Sequence, residues 1–452
     1  MPAFKLFSES IEGGRAVFHY DSDNSTLTDD SGRAIVDKLY SGDFVEALVC
    51  SPDSPNGKTD AVRILKISLG MSCNYSCSYC NQHLNPVEVE QTNQQDIGPF
   101  VELLQRTLKP QEQFMIQFWG GEPFVYWKTL RPLAERLRVL FPDAEFSVIT
   151  NGSLLDHEKV EWLDAMNFTV GISHDGPNYH ARGQDPLAQD TSARAIQELY
   201  QRLSPRGKIS VNSMLHAGNE SRAAINEFMV SRFGPNVRIG EGGVIDPYEP
   251  GGLAASLDGF DQHSEFRRRA FDEIRKAKAR NFLVIEEKIS GFVRSLETRR
   301  PKASVGQKCG MDLPGNLAVD LRGNVLTCQN TSAKAVAPNG RSHNIGHLSE
   351  LGNARLHSAR HWSKREECPK CPVLHLCQGA CMFLEGDLWD AGCDNAFSDN
   401  VVFLAAAIEF LTGFVPVYIE GPQREDRKDI WGLNGVPVTP SPRKKIIPLV
   451  PA

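Results

Sequence analysis

The stretch Gly70-Met71-Ser72-Cys73-Asn74-Tyr75-Ser76-Cys77-Ser78-Tyr79-Cys80 decides how this chain is read. It follows an apolar, β-prone run at 64–69, so three thiols sit at the carboxyl end of a strand. Three thiolates at this spacing can wrap one face of a [4Fe–4S] cube and leave one iron without a protein ligand. At the end of a parallel strand, that open iron faces the ligand-binding mouth. Zinc is the alternative; it would want a fourth ligand nearby, and His83 could serve.

Working outward, strand-like runs at 64–69, 114–119, 145–150, 168–173, 208–215 and 237–239 alternate with helical patterns at 96–108, 129–141, 156–166, 191–203 and 220–232. Successive βα units imply a parallel sheet with right-handed crossovers. Six units predict an α/β partial (β/α)6 barrel over 63–260 rather than the eight-unit closed form. Residues 1–62 read as a small N-terminal α/β unit, with strands at 4–7 and 16–20, a turn at 26–32 and a helix at 34–40.

Residues 261–308 read as a helical connector with 13 Lys/Arg against 7 Asp/Glu, including Arg267, Arg268 and Arg269. A solvated face is the commoner meaning of such charge, and an acidic peptide partner the sharper one. A cysteine-rich segment at 309–400 follows, then 401–452 with an apolar helix at about 401–411 and a Pro-rich tail carrying Arg443, Lys444 and Lys445. Glu409 and Pro416 interrupt the apolar run 401–419, which favours a core-packed helix over a membrane span.

The chain has 452 residues, 41% hydrophobic and 23% charged, which excludes wholesale disorder and leads us to expect two or three domains. A net charge of −7 gives no support for nucleic-acid binding. The first residues show no secretory signal, so a cytoplasmic location is expected, away from membranes. Eleven cysteines in such a chain point to metal or redox chemistry rather than disulfides. Besides Cys50, read as a buried apolar cysteine, they form two groups more than two hundred residues apart. The second group is Cys309, Cys328, Cys368, Cys371, Cys377, Cys381 and Cys393. A structural zinc ribbon is its bland reading.

The segment Cys73 to Cys80 resembles the CxxxCxΦC signature of radical S-adenosylmethionine (SAM) enzymes, with Tyr79 as the aromatic Φ. Gly120-Gly121-Glu122-Pro123 resembles that family's GGEP motif, and Thr150-Asn151-Gly152 and Ser173-His174-Asp175-Gly176-Pro177 resemble its TNG and SxDGP segments. The resemblance implies S-adenosylmethionine on a [4Fe–4S] cluster held by Cys73, Cys77 and Cys80. It further implies cofactor contacts from Tyr79, Gly120, Gly121, Glu122, Pro123 and Asn151, carboxylate binding by Ser173 and Arg194, and adenine packing by Leu215. One-electron reduction in that family releases a 5′-deoxyadenosyl radical that abstracts a substrate hydrogen.

Cys309-x13-Gly323-x4-Cys328, followed by Cys368-x2-Cys371-x5-Cys377-x3-Cys381 and Cys393, resembles the SPASM domain of peptide and protein maturases. That resemblance implies two auxiliary iron–sulfur clusters. Cys368, Cys371, Cys377 and Cys393 would hold one; Cys309, Cys328 and Cys381 would hold the other, with an open site or a non-cysteine fourth ligand.

The implied activity is hydrogen abstraction from a ribosomally made precursor peptide, with installation of an oxidative C–C or C–S cross-link. A sulfatase-type or quinone-cofactor-type protein maturase, or a small-molecule oxidoreductase, is the alternative. Sulfatase maturases place an Asp base directly after the GxxxxC cysteine, whereas Gln329 and Asn330 follow Cys328 here. The partners implied are the peptide, a reductant such as flavodoxin or ferredoxin, and a separate leader-recognition protein if 1–62 or 261–308 does not serve. No general base is assigned; His174 is a candidate, and a packing or capping histidine is its commoner meaning.

Overall fold

The computed structural model describes residues 3–40, 42–86 and 92–432. Its centre is a run of six parallel strands: β4 (Ala61–Ser68), β5 (Lys109–Trp119), β6 (Glu145–Thr150), β7 (Thr169–Ser173), β8 (Ile209–Leu215) and β9 (Ile239–Val244). Val62, Leu65, Ile67, Phe118, Phe146 and Val170 are buried along it, as parallel strands covered on both faces require. Each such side chain contributes on the order of 1.5–3 kcal/mol by leaving water.

Helices α1 (Gln94–Thr107), α2 (Trp127–Leu140), α3 (His157–Ala165), α4 (Asp190–Leu203) and α5 (Arg222–Phe233) make the crossovers. Their starts are written locally. Asn93 and Asp96 form a reciprocal capping box at α1, Asp156 accepts from Lys159 N at α3, and Ser221 accepts from Ala224 N at α5. The expected βα alternation is therefore present, with every strand and helix within a few residues of its predicted place.

At the β4 edge the sheet continues into the cysteine-rich segment. Strand β10 (Asn316–Asp320) pairs parallel with β4, and β11 (Asn324–Leu326) and β12 (Asn344–His347) follow antiparallel. The expected boundary near 309 thus falls inside one nine-stranded sheet, in the order β12-β11-β10-β4-β5-β6-β7-β8-β9.

The N-terminal strands β1 (Ala3–Ser10), β2 (Arg15–Asp21) and β3 (Thr26–Asp29) form a second sheet with β13 (Phe414–Glu420), in the order β13-β1-β2-β3. Residues 1–62 are therefore not a unit of their own: β1 is completed by a strand more than four hundred residues later. The helix expected at 34–40 is absent. Only Val36 buries its side chain there, and the Leu39 N–H donates to Glu297 O instead of to its own turn.

The connector at 261–308 is two helices, α7 (Gly259–Arg275) and α8 (Leu283–Thr298), after the single-turn α6 (Pro250–Leu253). The three arginines of its basic run are used internally: Arg267 is buried, Arg268 donates to Trp431 O, and Arg269 pairs with Glu220. The single-turn α9 (Leu374–Cys377) precedes α10 (Gly386–Thr412), which begins well before the expected 401 and carries Cys393. Tyr20 meets Phe292 of α8 edge-on at 5.5 Å, tying the second sheet to these helices. The Pro-rich residues 433–452, with Arg443, Lys444 and Lys445, lie outside the described residues. No helix among the described residues is long and apolar enough to cross a membrane.

Candidate active site

The carboxyl ends of the parallel strands surround a cavity of about 250 Å³. Cys73, Cys77 and Cys80 line it from the loop after β4, with Gly120, Gly121 and Glu122 from the end of β5 and Thr150 and Asn151 from the end of β6. Ser173 and Met214 reach it from β7 and β8. Burial pushes the Cys77 thiol up to about 11, and Cys73 is raised for the same reason. A cationic iron–sulfur core would reverse that cost by stabilising the thiolates.

The motifs are joined by hydrogen bonds. Gly121 N–H donates to Gly70 O at 2.9 Å and Glu122 N–H to Ser72 O at 3.0 Å, lacing the GGEP loop to the cysteine loop. A Cβ on Gly121 would collide with the Ser72 carbonyl, so this close approach requires glycine. The Glu122 carboxylate, 1% exposed, accepts from Thr150 Oγ1 at 2.7 Å, Asn151 N at 2.7 Å and Phe124 N at 3.1 Å. Burial raises its pKa, and those donors oppose the rise. Glu122 is thus committed to fixing the next strand end. Asn151 Nδ2 donates to Asn74 Oδ1 at 2.9 Å, which pins the cysteine loop from the other side.

Tyr79 is buried, with its ring 4.8 Å from the His216 ring. Its hydroxyl donates to Asp175 and accepts from Arg182 Nη1 at 2.8 Å. Arg182, six residues beyond Gly176, lines the cavity, and its Nε is buried without a partner. The sequence pattern did not single it out. Arg194 stands elsewhere: it is exposed on α4, and its Nε donates to Asp190 O one turn back. Leu215 is fully buried in the core, while its neighbour Met214 faces the cavity. Pro123 is buried at the start of a short 3-10 turn beside the cavity.

His174 does not face the cavity. It is 1% exposed, its Nδ1 accepts from Gly176 N at 3.0 Å, and its Nε2 lies 3.1 Å from Asp185 Oδ1. With Phe228 stacked on the ring at 5.2 Å, both nitrogens are occupied in holding the loop after β7. The candidate base is a packing histidine.

In the second cysteine region the thiols influence one another electrostatically. Cys368, Cys371, Cys377 and Cys393 lie within electrostatic reach of one another: burial and the neighbouring thiols push Cys371 up to about 12 and Cys368 further. Burial likewise pushes Cys328 up to about 11, with Cys309 beside it, and Cys381 also feels Cys309. Among the described residues no three Cys, His, Asp or Glu side chains close to single-ion spacing.

One residue of this region reaches the first site. Asn330, two residues past Cys328, lines the cavity beside Cys80 and Gln82. Asn85 holds it in place, with Nδ2 on Asn330 O at 2.8 Å and Oδ1 on Ser332 N at 2.6 Å.

The family description "Radical SAM superfamily" matches residues 67–229, the stretch that builds this cavity, so the chain carries a radical SAM domain. S-adenosylmethionine and a [4Fe–4S] cluster are the cofactors that family implies. The chain is 21% identical over 345 residues to the radical SAM cyclopropyl synthase TigE of Paramaledivibacter caminithermalis, covering 72% of this chain and 68% of that one. Its fold is similar to anSMEcpe with bound AdoMet (TM-score 0.56, 16% identity, 77% of this chain, 99% of that one). It is similar as well to anSMEcpe with bound AdoMet and Cp18Cys peptide (TM-score 0.54, 17% identity, the same coverage).

Proposed function

We propose that this chain is a radical SAM maturase with a SPASM-type region, which abstracts a hydrogen from a ribosomally made peptide and joins two of its atoms oxidatively. The observation that carries the reading is the shared cavity: Asn330, anchored next to Cys328, lines the same space as Cys73, Cys77 and Cys80. A second cluster region that opens onto the radical site suits an oxidation needing an electron acceptor. The peptide-bound anSMEcpe shares the fold, and the cyclopropyl synthase TigE shares part of the sequence.

When bound here, S-adenosylmethionine and its iron–sulfur cluster would supply the radical chemistry that abstracts a hydrogen. This chain's residues would hold and orient both. Cys73, Cys77 and Cys80 would hold the cluster; Ser173 and Arg182, rather than Arg194, would take the carboxylate, because Arg182, of the two arginines, lines the cavity. A guanidinium matches a carboxylate by its forked geometry. The Asp175–Tyr79–Arg182 chain fixes that fork.

The balance is simple. The substrate would give up one hydrogen atom, one electron to the acceptor that a cluster held by the second cysteine group would supply, and one proton to solvent or a base, for a net loss of two hydrogens. Closing a cyclopropyl ring by joining two carbons removes the same two hydrogens. Sulfatase maturation is disfavoured because Gln329 cannot accept the proton, and its Oε1 already accepts from Lys66 Nζ at 3.0 Å. A flavodoxin or ferredoxin is the reductant we assign.

The test is 5′-deoxyadenosine formation by reduced, anaerobic protein with S-adenosylmethionine. Wild type should make it and Cys77→Ala should not. Equal yields from the two would refute the radical reading.

A further inference from the structure

The segment after β13 returns a guanidinium to the second cysteine region. Arg427 is 3% exposed; its Nη2 donates to Cys393 Sγ at 3.2 Å and to Asp394 Oδ1 at 2.6 Å. Its Cζ lies 4.8 Å from the centre of the Phe397 ring. Cys393, Asp394 and Phe397 all belong to α10, so one helix face holds this side chain in three ways. Arg424 reaches Asp394 too, at 3.1 Å, and offsets part of the charge that Asp394 brings.

Resting on the reading that Cys368, Cys371, Cys377 and Cys393 hold an iron–sulfur cluster, we propose that Arg427 raises that cluster's reduction potential through its hydrogen bond to Cys393. Reduction adds one electron, making the cluster and its thiolates one charge more negative, while the guanidinium stays cationic in both states. Hydrogen bonds to the sulfurs and nearby charge are among the factors that set such potentials. A fixed N–H donor carrying positive charge stabilises the more negative state more. The reduced form is therefore favoured, which suits a cluster that accepts the substrate's electron. Arg427 touches neither substrate nor the reacting atoms; it is a tuning residue acting through Cys393.

The experiment uses full-length chain reconstituted anaerobically with iron and sulfide. A Cys73→Ala, Cys77→Ala, Cys80→Ala background leaves only the signals of the second cysteine region. Iron content is measured and the clusters are titrated with dithionite, followed by electron paramagnetic resonance. With Arg427→Gln, iron should match the background protein and one midpoint should move to lower potential; Arg427→Lys, which keeps the charge but not the fork, should fall between. Unchanged midpoints at full iron would overturn the proposal. So would a loss of iron in both variants equal to that of Cys393→Ala, which would make Arg427 a folding element only. If Cys393→Ala itself loses no iron, the cluster assignment fails first, and the tuning proposal with it.

Discussion

Glu122 Oε2 accepts the Asn151 backbone N–H at 2.7 Å, so the acidic residue of one strand-end motif positions the turn of the next. The same carboxylate lines the cavity, so it also holds the wall of the space it faces.

Replacing Glu122 with Gln puts an amide donor where donors already point. We expect a loss of about 1–3 kcal/mol of stability, the usual cost of stranding buried polar groups. S-adenosylmethionine affinity should fall with it. Chemical denaturation and equilibrium binding under anaerobic conditions check both.

Gly121→Ala should prevent loading of the first cluster, because its Cβ would strike the Ser72 carbonyl. Gly120→Ala should be milder, since its Cβ would sit 3.0 Å from Gly70 O. Iron per chain after reconstitution separates the two variants. Wild type with three cubes should carry about twelve irons and Cys73→Ala about eight.

Arg182→Ala should weaken S-adenosylmethionine binding by about tenfold or more, equivalent to roughly 1.4 kcal/mol. Arg194→Ala should change it by less than about twofold, because that side chain is exposed on α4. Calorimetry on the reconstituted protein decides between them.

Much of this was legible in the sequence because it is local. Six strands and five helices follow from apolar periodicity and capping residues, and the cysteine spacings are fixed over short distances. The pairing of β1 with β13 was not legible: alternation marks a strand but does not name a partner four hundred residues away. Arg182 was missed because the loop after β7 has no periodicity, and only the fold brings it to Tyr79. The helix expected at 34–40 does not form because its amides bond elsewhere, Ile35 N–H to Leu27 O of β3 and Leu39 N–H to Glu297 O of α8.

Asp185→Asn tests the reading of His174 as a pin. Burial lifts the Asp185 pKa, but hydrogen bonds from His174 and the Leu187 amide outweigh it and leave the group below the ordinary carboxylate range. A depressed folded-state value gives stability that is present above the unfolded value and lost as pH falls through the folded one. The difference in stability between wild type and Asp185→Asn should therefore be full near neutral pH and vanish in acid. Denaturation curves across that range measure it, and His174→Gln should lower stability while 5′-deoxyadenosine is still formed.

If the radical chemistry at Cys73, Cys77 and Cys80 oxidatively joins two atoms of a peptide, the product carries two hydrogens fewer. Anaerobic co-expression with a short peptide encoded beside the gene, followed by mass spectrometry, addresses it directly. The account predicts a peptide lighter by two hydrogens, placed by fragmentation between two side chains or within one ring. An unchanged peptide mass, with 5′-deoxyadenosine still produced, would contradict it.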